Sequence, residues 1–322
     1  MPSLLCETVT GDTMVQLLAA RDAAAAGRGA DVRADMVELR LDGVRDLDVE
    51  RALYGRRGPI IATCRPAWEG GRFSDSEEER RAILARAVAA GADYVDVEWR
   101  ARFSDVVQAH CSKVILSSHD FDGVPADLSA RARSMRATGA AVIKIAVTAA
   151  RLCDTLPLRE IAKAGDAVVV GMGDAGVPSR LLATRFGSRW TYGGTAAAPG
   201  QMPAARMLAQ FRFRSVSDRT LLYGIAGDNV LHSLVPPMHN AAFAAAGLDA
   251  VCVPLPAADF ADFLTFTDAL RISGWEASNG EVERAAEDDL AGIIAGAERQ
   301  FESWTGRRPA PGVMREAAEQ CT

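Results

Sequence analysis

The residues most suited to chemistry in this 322-residue chain are one lysine, one histidine and a set of charged side chains near them in pattern. Lys144 interrupts the apolar run 141-AVIKIAV-147. Only Lys113, Lys144 and Lys163 are lysines among 36 basic residues, so arginine serves wherever a generic positive charge is needed. A lysine kept inside a strand-like run therefore calls for a reason. Burying an ammonium is costly unless it is paired or loses its proton. A buried lysine with a lowered pKa traps ketones as imines, whereas a lysine that merely snorkels to a rim does not. His119 ends the run 113-KVILSSHD-120, where an imidazole is placed to shuttle a proton beside such an imine.

Glu38 and Arg40 have i, i+2 spacing in 37-VELRLD-42, which puts both on one face of a strand. Two inward charges must answer each other or a polar ligand. Arg65 closes the run 59-PIIATCR-65 and Glu69 follows in a loop, where a carboxylate near His119 would fix its tautomer. Arg180 opens a later helix and Gln201 sits in 198-APGQ-201, a pair suited to gripping a carboxylate. The implied chemistry is an iminium that acidifies the neighbouring carbon, with His119 removing that proton. A β-leaving group then departs or a C–C bond breaks. These residues alone do not separate a dehydratase from a class I aldolase-type lyase.

The elements that must position these groups alternate regularly. Short strand-like runs at 4–10, 36–42, 59–65, 94–99, 113–119, 141–147, 167–173 and 190–194 are separated by helical stretches. The helices are expected at 13–26, 76–91, 127–138, 148–164 and 179–186, with a last one in 199–213. Eight such units in a little over 200 residues predict an α/β fold, a (β/α)8 TIM barrel over residues 1–214. The polar candidates gather at the carboxyl ends of the strands, where a barrel places its active site. After a polar junction, residues 220–322 predict a small, incomplete α/β domain. Its strands are expected at 221–227 and 250–256, its helices near 237–246 and 258–264, with a short run at 270–275 and an amphipathic stretch at 290–305.

Composition narrows the function classes. With 49% apolar and 24% charged residues the chain is ordinary globular material, and its net charge of −6 argues against a broad nucleic-acid surface. Six scattered cysteines with no CxxC pair predict neither a disulfide scaffold nor a metal site. No cofactor is expected. The N-terminus lacks a targeting signature and no long apolar window suggests a membrane span, so a cytoplasmic protein is expected.

The run Glu38-Leu39-Arg40-x-Asp42, Thr63-x-Arg65, Glu69-Gly70-Gly71, Ser118-His119-Asp120-Phe121, Lys144-Ile145-Ala146, Ser179-Arg180 and Ala198-Pro199-Gly200-Gln201 resembles type I 3-dehydroquinate dehydratase over about residues 3–213. The resemblance implies a barrel enzyme, usually a homodimer. It implies conversion of 3-dehydroquinate to 3-dehydroshikimate by syn elimination of water through a lysine imine. It assigns the imine to Lys144, proton transfer to His119 and orientation of His119 to Glu69. Glu38, Arg40 and Arg65 would hold ring hydroxyls and nearby charge, Met172 would pack on the ring, and Arg180 and Gln201 would bind the carboxylate. One departure is Ala197, where the family usually has a serine; weakened substrate binding is the expected consequence.

The second segment resembles shikimate dehydrogenase at its start, 223-YGIAGDNVLHSLVPPMHNAAFAAAGLDA-250, and at its end, 300-QFESWTGRRPAPGVMREA-317. Between them the likeness breaks. The family's V-T-I-P-H-K run is replaced by 275-WEASNGEVERAAEDD-289, and no lysine follows Lys163. Val235 replaces a motif serine while Ser233 remains, Gly296 stands where a glutamine is expected, and the nucleotide domain is absent. Hydride transfer needs a nicotinamide site and an acid–base group, so no shikimate dehydrogenase activity is expected. A structural module or a non-catalytic site for a shikimate-like ligand remains. For the whole chain, the rivals to the dehydratase are the aldolase-type lyase and a non-catalytic ligand-binding protein.

Overall fold

The computed structural model describes residues 3–26, 33–194, 200–257, 259–277 and 287–321, with the side chains of 287–289 left aside. The first part runs β1 (Leu4–Val9), α1 (Met14–Ala26), β2 (Met36–Arg40), α2 (Val49–Leu53), β3 (Ile60–Thr63), α3 (Glu77–Ala89), β4 (Tyr94–Glu98) and α4 (Ser104–Ala109). It continues β5 (Val114–Asp120), α5 (Leu128–Arg136), β6 (Val142–Thr148), α6 (Leu156–Ala162), β7 (Ala167–Met172), α7 (Val177–Leu181), α8 (Ala183–Phe186), β8 (Trp190–Gly193) and α9 (Ala204–Phe211). The second part is β9 (Leu221–Gly227), α10 (Val235–Ala245), β10 (Ala250–Pro256), α11 (Phe260–Leu270), β11 (Ile272–Ala277), α12 (Glu287–Thr305) and α13 (Val313–Glu319).

The eight expected strands form one parallel sheet in the order β7-β6-β5-β4-β3-β2-β1-β8, a nearly closed (β/α)8 barrel. Side chains alternate across each strand. On β6, Ile143, Ile145 and Val147 join the core under the helices, while Val142 and Ala146 pack inside the barrel with Lys144 between them in register. The inward positions change character along the strands. Met36, Ile61, Tyr94, Ile115 and Val142 fill the amino end, with Tyr94 tilted against Trp190 at 5.6 Å. One step further along, the same faces carry Glu38, Thr63, Asp96, Ser117 and Lys144, all buried. The floor is thus apolar and the carboxyl end polar, as layered barrel packing allows.

Helix α3 begins at the sequence-expected place. Ser76 accepts from the Glu79 amide at 3.2 Å and the Glu79 carboxylate returns to the Ser76 amide, a reciprocal cap. Three expected helices differ. The stretch 148–164 yields a turn at Leu152–Thr155 and only then α6, because Pro157 suits a first helical turn but not an interior. The stretch 179–186 divides into α7 and α8 where Leu182 leaves helical backbone, at φ −103° and ψ 29°. Helix α11 extends six residues past the expected Leu264, its added apolar residues Phe266 and Leu270 being buried.

The appended sheet is parallel, in the order β10-β9-β11. One face, with Tyr223, Ile225 and Cys252, packs on α10, α12 and α13 around Phe243 and Phe301. The other, with Leu222, Val251, Val253 and Leu255, joins Phe263, Phe266 and Leu270 in the same apolar cluster as the barrel's outer core. The second part therefore leans on the barrel through a shared hydrophobic layer.

Candidate active site

A cavity of about 150 Å³ opens at the carboxyl end of the barrel strands. Its lining includes all nine residues singled out in the sequence: Glu38, Arg40, Arg65, Glu69, His119, Lys144, Met172, Arg180 and Gln201. Thr8, Gly70, Phe121, Ala146, Val170 and Tyr192 complete the wall.

Lys144 projects from the middle of β6, opposite Ser117 of β5 and Val168 of β7 in register. Its burial is met by pairing rather than by an apolar surround. Nζ donates to Asp96 Oδ2 at 3.1 Å, lies 3.5 Å from Glu38 Oε1, and sits 4.1 Å from the centre of the Tyr192 ring. Glu38 is itself held by Thr8 Oγ1 at 2.7 Å and Thr63 Oγ1 at 2.8 Å. Burial alone would raise Glu38, but the Lys144 charge keeps it below the usual carboxylate range. Asp96 is driven the same way: burial opposes ionisation, and the charges of Arg65 and Lys144 overcome it.

His119 lies one inward step beyond Ser117 on β5, and His119 pairs with Ala146 of β6. Glu69 reaches it from a short turn, Ala67–Glu69, after β3. Glu69 Oε1 lies 3.0 Å from His119 Nδ1 and accepts the His119 amide at 3.1 Å. An Nδ1–H donated to that carboxylate leaves Nε2 as the free ring nitrogen. Phe121 stacks on the imidazole with ring centres 6.4 Å apart. That ring needs Gly70, which is left-handed at φ +78°, since a Cβ there would stand 2.7 Å from Phe121 Cζ. Burial raises the Glu69 carboxyl to about 7, opposed by Arg65 and aided by Glu98 and Asp96. Burial and then the charges of Arg65 and Lys144 push the imidazole well below its usual range.

The arginines divide into two kinds. Arg65 is sunk among carboxylates, 2.7 Å from Glu98 and 3.0 Å from Asp96, and it donates to Ser117 Oγ at 2.9 Å. Glu98 is also paired with Arg80 of α3. Arg40 acts on Glu38 through its charge, while its hydrogen bonds form a two-pronged grip on Asp42 at 2.8 and 2.9 Å. Arg180 is buried on α7 and its Nη1 donates to the Tyr192 carbonyl at 3.4 Å. Burial brings its guanidinium down to about 10, still cationic at neutral pH. Gln201 Nε2 donates to the Gly193 carbonyl at 2.7 Å and to Thr8 Oγ1 at 3.2 Å, while its buried Oε1 has no hydrogen-bond partner among the described residues. Met172 ends β7, 1% exposed. Ala197, with Ala198 and Pro199, lies outside the described residues.

Sequence reasoning missed Asp96, Glu98, Ser117 and Tyr192. The signal for the first two was present as the alternation of acids in 94-YVDVEW-99. On an open sheet it would read as a solvated face. Among the described residues no cluster of three or more His, Cys, Asp or Glu is arranged to hold a metal ion. None of the described helices is long and apolar enough to cross a membrane. In the second part Ser233 Oγ is engaged as acceptor for the Val235 amide at 3.2 Å, and the run 278–286 lies outside the described residues.

Residues 5–218 match the sequence model of the family described as type I 3-dehydroquinase. A bifunctional 3-dehydroquinate dehydratase/shikimate dehydrogenase of Arabidopsis thaliana, a chloroplastic protein, is 32% identical over 301 residues. That match takes in 88% of this chain but 49% of the relative, so the chain spans about half its length. A 3-dehydroquinate dehydratase of Methanothrix thermoacetophila is 38% identical over 183 residues, covering 55% of this chain and 80% of that one. Among solved structures, the 3-dehydroquinate dehydratase from Geobacillus kaustophilus superposes with a TM-score of 0.57 at 27% identity, over 64% of this chain and 89% of that one.

Proposed function

The chain belongs to the type I 3-dehydroquinase family, a family of lyases, and on that premise we propose that it converts 3-dehydroquinate to 3-dehydroshikimate and water. The observation that carries the reading is the meeting of Lys144 Nζ and a Glu69-held His119 in one buried cavity. Lys144 attacks the C3 ketone, and loss of the carbonyl oxygen as water leaves an imine. His119 Nε2 takes the C2 proton, the electron pair flows into the imine as an enamine, and the C1 hydroxyl leaves as water with a proton returned by His119. Water then hydrolyses the product imine and frees Lys144. Asp96 and Glu38 hold the amine in place; Glu69 stabilises the imidazolium that forms. Arg180 and Gln201 take the substrate carboxylate, Met172 packs on the ring, and Arg40 with Glu38 meets its hydroxyls. Arg65 acts by fixing Asp96 and Glu98.

The same reading divides the chain into a barrel, 1–214, and a shikimate dehydrogenase-like remnant, 220–322, without dehydrogenase activity. It takes the protein as a cytoplasmic homodimer. Unpaired cysteines at all six positions suit a reducing compartment.

The test is borohydride trapping with 3-dehydroquinate, followed by mass mapping, alongside product absorbance. A reduced adduct on Lys144 is expected. Lys144→Ala should lose both adduct and turnover. His119→Ala should keep the adduct yet lose about 10²- to 10⁴-fold in rate. Turnover without any adduct would defeat the imine mechanism. NADP-dependent oxidation of shikimate would defeat the remnant reading.

A further inference from the structure

Helix α11 of the second part carries a buried aspartate that serves the barrel rather than its own domain. Asp262 is 3% exposed. Its Oδ2 accepts the Leu152 amide at 2.8 Å and its Oδ1 the Cys153 amide at 3.1 Å, across 110 and 109 residues of sequence. Arg151 Nε stands 3.5 Å away, and Cys153 Sγ donates to the Asp262 carbonyl at 3.3 Å. The two amides open the turn Leu152–Thr155 that follows β6, so they belong to a helical end whose donors need outside acceptors. At the other end of α11 the carbonyls of Ala269 and Leu270 accept from Arg159 at 3.1 Å and Arg185 at 3.0 Å, both on barrel helices. The helix is fastened at both termini to the barrel.

The fastened turn packs against the end of β7, which carries Met172 to the cavity. Just before it, the Ala149 amide donates to the Met172 carbonyl at 2.9 Å. A Cβ on Gly171 would come 3.0 Å from Thr155 Cγ2 and 2.6 Å from Gly176 Cα. A Cβ on Gly200 would come 2.5 Å from the Gly173 carbonyl oxygen. The Thr155 methyl thus packs directly on Gly171, whose backbone touches that of Gly176, so a shift of the turn is passed to residues 171–176, from which α7 carries Arg180. Lys144, His119 and Glu69 are fixed instead by ladders and contacts on β3 to β6.

We propose that Asp262 is a positioning residue for substrate binding: the appended segment holds the turn after β6, and thereby the Met172 and Arg180 wall of the cavity. The inference rests on the dehydratase reading above and adds a role for the second part within it.

The experiment compares full-length Asp262→Ala and Asp262→Asn with the parent chain, by steady-state kinetics on 3-dehydroquinate and by amide hydrogen exchange. Asp262→Ala should speed exchange at Leu152 and Cys153 and raise KM about tenfold, the scale of one charge-assisted hydrogen bond, with kcat changed by less than about twofold. Asp262→Asn keeps one oxygen acceptor for the two amides and should recover about half of that loss. If Asp262→Ala does not fold, a KM rise of about threefold at constant kcat in Asp262→Asn is the expected result. Unchanged KM in both variants, or kcat falling with KM constant, overturns the proposal. A parent chain that does not turn over 3-dehydroquinate defeats the dehydratase reading, and this one with it. A parent chain that does, matched by both variants, defeats this one alone.

Discussion

Replacing Glu69 by Gln separates the two acid–base groups of the cavity. Their burial moves them in opposite directions, the Glu69 carboxyl up to about 7 and the His119 imidazole well below its usual range. The imidazole is then neutral throughout the working range, and the acid limb of the rate profile belongs to Glu69. Below about pH 7 the carboxyl is protonated and loses most of its hold on Nδ1–H, 3.0 Å away. Above that pH the carboxylate stabilises the imidazolium created when Nε2 takes the substrate proton. A hydrogen bond to a charged group contributes about 1.5–3 kcal/mol, or roughly 10- to 150-fold in rate. For the parent chain kcat should therefore fall about tenfold from pH 8 to pH 6, following the ionised fraction of one group. Glu69→Gln should lie near the bottom of that range and be flat between the same limits. The assay is the growth of the 3-dehydroshikimate enone absorbance at saturating substrate. An acid limb centred near 7 that survives in Glu69→Gln would refute the assignment, as would a parent profile flat down to pH 6.

Two further outcomes concern stability. Asp96→Asn removes the charge shared by Lys144 at 3.1 Å and Arg65 at 3.0 Å. Leaving two buried cations short of a partner should cost about 3 kcal/mol in urea unfolding, and a loss under about 1 kcal/mol would show that Glu38 and Glu98 suffice. His239 is fully buried among Phe243, Phe301 and Trp304, its ring nitrogens without a hydrogen-bond partner among the described residues, and burial lowers it to about 3. Its folded value lies below the unfolded one, so the unfolded chain binds the extra proton and stability falls as pH drops below about 6.5. Between pH 7 and 5 that amounts to about 2 kcal/mol. His239→Leu should abolish that part of the slope; an equal slope in both chains would place the acid sensitivity elsewhere.

Much of this site was legible because barrel strands write their inward face at every second residue. Glu38 and Arg40, His119 and the lone Lys144 all stand on that period. Asp96 and Glu98 obey it too, yet alternating acids read equally as a wet face until the sheet curls shut. The sequence left Arg40 to answer either Glu38 or a polar ligand, and its bond to Asp42 was hidden for a related reason. Asp42 lies past the end of β2, where a 3-10 turn rotates it back toward the guanidinium, and strand alternation no longer governs. Contacts such as Asp262 to Leu152 span 110 residues and have no local signature at all. The length of α11 was set by what the helix lies against, not by its own periodicity.

The barrel's sheet begins at β7 and ends at β8, and among the described residues no strand ladder joins the two. Hydrogen bonds that cross the gap among the described residues include the Arg189 amide on the Ala167 carbonyl, the Val169 amide on Ser188 Oγ, and Arg180 on the Tyr192 carbonyl. Across this joint the strands are held by side-chain packing rather than by a ladder, with Val168, Val170 and Met172 of β7 in one buried cluster with Trp190 and Tyr192 of β8. Strand β10 of the appended part touches α7 on one side of the joint and α9 on the other. The added hundred residues thus act mechanically as a strap across the staves where the hoop is open.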